Sequence, residues 1–144
     1  MSPISFKAVG VPDAFRERTA LRSWLNGVAR EHGHRINDLT YVLMGDEALL
    51  EYNKRYLDHD EYTDVITFDG QTGTGVSGDV LMSYDRIKEN AASFGVSARH
   101  ELHRVMVHGL LHLLGHSDKT KAAREAMRAM EDKYLLRLGK ATSR

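Results

Sequence analysis

A chain of 144 residues, 42% apolar and 28% charged, is long enough to bury one core and excludes a disordered or fibrous protein. The 20 Lys and Arg against 20 Asp and Glu give a formal net charge of zero, so no global field draws in a nucleic acid and any such partner must meet a local patch. Cysteine is absent, which excludes disulfides and thiolate metal ligands and accords with a reducing cytoplasm.

The first stretch, Met1 to Phe15, lacks the unbroken apolar run of a signal peptide, and no segment is apolar enough to cross a membrane; a cytoplasmic protein is expected. Ile4 to Val9 predicts a short strand closed by the turn Gly10-Val11-Pro12. Asp13 is placed to cap a helix carrying Phe15, Leu21, Trp24, Leu25 and Val28 at near-helical intervals up to Gly33. Asn37 to Met44 predicts a second strand, and Gly45-Asp46 turns into a helix with Leu49, Leu50 and Tyr52 on its apolar side. After a polar loop from Leu57 to Tyr62, the β-branched and aromatic run Thr63 to Phe68 predicts a strand. The glycine-rich run Gly70 to Gly78 reads as a hairpin loop; it lacks the Lys-Ser/Thr that ends a phosphate-cradling loop. Asp79 to Ser83 predicts another strand, and Ser83 or Asp85 caps a helix stopped by Gly95. Ser97 opens a long apolar helix with Leu102, Val105, Met106 and Leu113 as core candidates. A last helix over Lys121 to Leu138 carries Ala126, Met130, Tyr134 and Leu138, and Lys140 to Arg144 is expected to fray. With no repeat or linker, residues 1–144 form one α+β domain, a small mixed sheet packed against helices.

The chemistry concentrates in His108 to Asp118, HGLLHLLGHSD. His108 and His112 lie four apart on a predicted helix, which stacks both imidazoles on one face. Gly115 allows a left-handed turn at the helix end, and His116 or Asp118 beyond it can be carried back toward the pair. Two nitrogens on a rigid helix and a third ligand from the following turn suit one zinc ion with an open position, hence catalysis rather than scaffolding. A zinc peptidase would carry a glutamate directly after the first histidine; Gly109 stands there and argues against proteolysis.

These residues resemble a known family. HGLLHLLGHSD is similar to the HGxLHLxGYDH signature of the YbeY family, bacterial endoribonucleases of ribosomal RNA maturation. Tyr62 to Phe68 resembles its PTDVLSFP strand, with Tyr62 in place of the proline, and Gly78 to Ser83 resembles its GDIVIS strand. The approach to the metal helix, Glu101-Leu102 through Val107, also matches, so the likeness spans roughly residues 38 to 120 in family order. It implies a small α+β fold, a bound zinc, single-stranded RNA as substrate, and ribosomal RNA and ribosomal subunits as partners. In that register Asp118 replaces the family's third metal histidine, while His116, at the tyrosine position, is the alternative ligand. The family's arginine before the PTDV loop falls on Leu57. Arg55 is the catalytic candidate nearest to it, and Lys54, Arg55 and Lys119 are the candidate RNA contacts. The expected activity is zinc-dependent, single-strand-specific RNA cleavage in ribosomal RNA processing. The alternative is a non-catalytic, zinc-stabilised protein that binds the ribosome.

Overall fold

The computed structural model describes residues 3–70 and 75–142. Four strands form one mixed sheet in the order β1 (Ile4–Ala8), β2 (Ile36–Met44), β4 (Val76–Ser83), β3 (Val65–Asp69). The β1–β2 and β2–β4 pairs are parallel, and β3 runs antiparallel to β4 at the edge, with Phe68 opposite Asp79. Five helices complete the α+β domain: α1 (Arg18–Glu31), α2 (Asp46–Leu57), α3 (Tyr84–Phe94), α4 (Ala98–Leu113) and α5 (Lys121–Thr142).

Strand alternation divides the core by sheet face. Leu39, Tyr41, Leu43, Val80 and Met82 join the large cluster built with α1, α4 and α5. Met44, Ile66 and Leu81 point the other way and meet Leu49 of α2. The sheet therefore lies between α2 and α4. Helix α4 is tied to it by the buried Tyr41 hydroxyl, which donates to the Met106 carbonyl at 2.9 Å, and α1 to α5 by the Trp24 indole, which donates to the Tyr134 carbonyl at 2.8 Å.

The structure corrects the expected elements in four places. Helix α1 starts at Arg18, not after Asp13. The Asp13 carboxylate instead accepts from the Phe15 amide and pairs with Arg18 at 2.5 Å, holding an irregular segment whose Phe15 is buried against Phe6. Tyr52 is exposed, and Asn53 takes the buried position beside Leu49, its amide donating to the Glu61 carbonyl. Strand β4 begins at Val76 inside the expected hairpin loop, because Gly78 lets the Phe68 carbonyl approach to 2.4 Å from where a Cβ would stand. The rest of that loop, residues 71–74, lies outside the described residues. On α5, Ala126 is exposed and Met127 is buried in its place, and the helix extends past Leu138 to Thr142, with residues 143–144 of the tail outside the described residues.

His103 is buried near Trp24. Burial, followed by the charges of Arg99 and His100, pushes its pKa down to about 4. An unfolded histidine titrates near ~6.5, so the unfolded chain binds this proton first. Stability from a neutral His103 is complete above that value and drains away as the pH falls toward 4. The expected loss by pH 4 is about 3 kcal/mol, at ~1.4 kcal/mol per pH unit. His103→Leu should flatten this acid limb in urea melts at pH 7, 5.5 and 4; an unchanged slope would sink the assignment.

Candidate metal centre

Helix α4 begins with Ser97, whose hydroxyl accepts from the His100 amide at 3.0 Å. Its close is what forms the site. The His116 amide donates to the Leu111 carbonyl and the Gly115 amide to the His112 carbonyl, with Gly115 at φ 103. This pair of bonds is the Schellman pattern, which needs a left-handed residue at that position. It reverses the chain and brings Asp118 back over the histidines.

There the His108 and His112 Nε2 atoms lie 3.1 Å apart. The Asp118 carboxylate oxygen stands 3.3 Å from His112 Nε2 and 3.6 Å from His108 Nε2. Two ligands of a tetrahedral zinc, each at ~2.0–2.1 Å from the ion, are about 3.3 Å apart. The triangle matches three corners of such a tetrahedron, and nitrogen and carboxylate donors are a donor set zinc accepts. His108, His112 and Asp118 are the group that could hold a metal ion among the described residues.

His116, the alternative third ligand, turns elsewhere. Its Nε2 meets His32 Nε2 at 2.9 Å, and His32 Nδ1 sits 2.9 Å from the Val28 carbonyl. With His32 Nδ1–H donating to Val28, His32 Nε2 accepts and His116 Nε2 must donate. That nitrogen then has no lone pair to offer a metal.

One residue the sequence reading missed completes the arrangement. Glu131 of α5, buried, accepts from His108 Nδ1 at 2.6 Å. This bond fixes the imidazole tautomer that leaves Nε2 free for a cation. The other Glu131 oxygen accepts from Arg104 at 2.9 Å, and Arg104 reaches Asp132 at 2.6 Å. Burial works against charge on His108, but the Glu131 carboxylate outweighs it, helped by Asp64 and Asp118, and raises the His108 pKa above the ordinary histidine range. A signal for Glu131 did exist: a glutamate falls on the same buried stripe of α5 as Met127, Tyr134 and Leu138.

Gly109, where a peptidase would place its glutamate, faces the sheet. A Cβ there would lie 2.6 Å from Val80 Cγ1, so the position is closed to any side chain. The missing base is a packing requirement of α4 on β4.

Two clefts flank the triangle. One, of about 440 Å³, is shared by Asp64, His108, Asp118 and Glu131 with Arg104, Arg124 and Arg128. Burial raises the Asp64 carboxyl above the usual carboxylate range, against the lowering pull of His108. The second, of about 970 Å³, has His112 beside Arg35, Asn37 and Asp69. Lys54 and Arg55 line neither cleft; both are exposed on α2, across the sheet from α4, and Lys54 pairs with Asp60 at 3.5 Å. Lys119 is exposed beside Asp118 and likewise lines neither. Leu57, at the last residue of α2, is 42% exposed.

The third ligand is open to direct test. Asp118→Ala should lose most of the metal affinity, while His116→Ala retains it, in titrations of metal-free protein with zinc. Asp118→His should bind at least as tightly as the parent, because imidazole suits zinc. Equal loss from His116→Ala would overturn the assignment.

Comparison with known proteins identifies the family of this chain. The sequence model of a family described as Endoribonuclease YbeY matches residues 8–139. The Endoribonuclease YbeY of Cytophaga hutchinsonii is 47% identical over 121 residues, 83% of this chain and 85% of that protein. That of Bacteroides thetaiotaomicron is 43% identical over 129 residues, 90% of this chain and 93% of its own. The fold is similar to the solution structure of TM1509 from Thermotoga maritima, at a TM-score of 0.64 and 24% identity, covering 96% of this chain and 90% of that one. With residues 8–139 matched by one family, and relatives of that family 47% and 43% identical over most of both chains, the chain belongs to the YbeY family of endoribonucleases.

Proposed function

We propose that this protein is a zinc-dependent endoribonuclease specific for single-stranded RNA, acting in ribosomal RNA processing during ribosome maturation in the cytoplasm. One observation carries the reading: three donor atoms at tetrahedral spacing with an open side, in a chain of an endoribonuclease family. His108, His112 and Asp118 hold the ion. When bound, zinc supplies a Lewis acid against a phosphoryl oxygen and makes hydroxide available near neutral pH.

The chain's own residues do the rest. Glu131, bonded to His108 Nδ1, orients the imidazole so that in its neutral form Nε2 faces the ion. Asp64, which holds a proton more readily than an ordinary carboxylate, stands in the same cleft as a proton carrier for the departing oxygen. Lys119, exposed beside Asp118, is an outer phosphate contact for the flanking strand. Lys54 and Arg55, on α2 across the sheet, would meet only RNA that runs beyond the two clefts, and Arg55 is the arginine nearest in sequence to Leu57, the position of the family's arginine. Among the described residues no helix is long and apolar enough to cross a membrane.

Exposed Leu57 at that arginine position favours a second reading, a zinc-stabilised ribosome-binding protein without activity. Metal analysis of the purified protein, followed by cleavage of a single-stranded RNA with and without chelator, separates the two. Chelator-sensitive cuts that zinc restores support the nuclease. A zinc-loaded protein that binds RNA but never cuts it supports the alternative.

A further inference from the structure

We infer that the cleft beside His108 is a nucleotide subsite, in which a base of single-stranded RNA stacks on Phe94 while its phosphate meets Arg124 and Arg128. The inference rests on the nuclease reading above and names how the strand is held beside the metal centre. Three observations meet here.

First, Phe94 is 55% exposed although it ends α3 on the wall of a cleft whose floor includes the buried Val105 and Met127. A large ring left in the open beside an apolar floor offers a π-face to a planar ligand. The Arg128 guanidinium lies over the ring, 5.4 Å from its centroid. A base on the exposed ring surface would extend that stack.

Secondly, Arg124 and Arg128 are one helical turn apart on α5 and share the cleft with His108 and Asp118. Neither has a carboxylate within 4.0 Å among the described residues, whereas Arg86, Arg99, Arg104 and Arg137 all do. Arg124 makes only a long bond, 3.4 Å, to the Asp118 carbonyl. Two guanidinium forks on one face, neither in a close ion pair among the described residues, suit a phosphate, which accepts bidentate bonds. Four acidic side chains, Asp64, Glu101, Asp118 and Glu131, share the cleft with them, and the charge of Arg128 acts on the buried Glu101 after that of Arg104. Glu131 is spent on Arg104 and His108, and Asp118 belongs to the metal triangle.

Thirdly, the size is right. At about 440 Å³ the cleft falls in the range of ~300–1,000 Å³ typical of small-ligand sites, enough for one nucleotide and not for a duplex. Stacking on a phenyl ring is tolerant of base identity, so this subsite grips any single strand and selects against paired bases, whose faces are covered.

The test uses the metal-loaded protein and a short quenched fluorescent RNA, in an all-uridine and an all-adenosine version. Phe94→Leu should raise KM about tenfold for both RNAs with little change in kcat, the loss expected for one stacked base. Phe94→Trp should keep or lower KM. Arg124→Gln with Arg128→Gln should flatten the log–log salt dependence of kcat/KM by about 0.7 units, for one neutralised phosphate on a single strand. If the parent cuts RNA and both sets of variants match it in KM and salt slope, the subsite is wrong and the metal-centre reading stands. A Phe94→Leu protein that melts early and loses kcat and KM together, with Phe94→Trp no better, assigns the ring to packing and also overturns the subsite. A parent that neither binds nor cuts either RNA overturns the nuclease reading and the subsite with it.

Discussion

Replacing His112 with alanine should abolish RNA cleavage while leaving the fold intact. The expectation follows from where the energy of α4 resides. Leu102, Val105, Met106, Leu110 and Leu111 bury that helix, whereas the His112 side chain is half-buried at its far end. Truncation should therefore leave the melting temperature of the metal-free protein within a few degrees of the parent. Metal affinity should fall by more than the ~10–100-fold typical of losing an outer-shell partner, since a direct ligand is gone. The stabilisation that zinc confers on the native state by mass action shrinks accordingly. Zinc titration, melting with and without zinc, and cleavage of a single-stranded RNA check the three parts. His112→Ala retaining half the parent's cleavage rate would remove the metal triangle from the mechanism altogether.

The second large effect is expected at Glu131, which no sequence motif marks. Glu131→Gln preserves shape but not bonding. A carboxylate accepts on both oxygens, from His108 at 2.6 Å and Arg104 at 2.9 Å; an amide offers one acceptor and one donor. With its NH2 toward Arg104 the amide sets a donor against a donor; with its NH2 toward His108 it favours the tautomer whose proton sits on Nε2, the atom that would face the ion. Zinc affinity should drop about 10–100-fold, the usual price of an outer-shell partner. Glu131→Ala also deprives the partly buried Arg104 of a partner; Asp132 remains, so the destabilisation should be of the order of 3 kcal/mol or less.

A pH readout separates this role from simple packing. In the parent, the raised His108 pKa means that protons compete for the ligand from above the ordinary histidine range, and metal is released as the pH falls through it. With Glu131→Gln the His108 pKa falls, so acid release should shift to lower pH even though affinity at pH 8 is weaker. Parallel release curves for parent and variant would show that Glu131 only fills space.

The sequence alone determined which chemistry this chain can hold. Histidine spacing on an apolar helix, a glycine able to turn left-handed and an acid three residues later are local facts, decided within one turn and its cap. The order of strands and helices was legible for the same reason, since period and capping residues are short-range signals. Misreadings arose where packing overrode them. Asp13 turned to Arg18 instead of capping a helix, Asn53 displaced Tyr52 from the interior, and Val76 to Gly78 joined the sheet because a chain without a Cβ could lie against Phe68.

Only the tertiary structure showed that Asp118 stands with the paired histidines while His116 meets His32, 84 residues away. It also brought Glu131 to His108 and Phe94 to Arg128, and set Lys54 and Arg55 on α2, across the sheet from the metal helix. These placements join residues far apart along the chain. A hydrogen bond or charge contact depends on separation in space, and for such pairs only the packing of α5 and the sheet against α4 sets that separation.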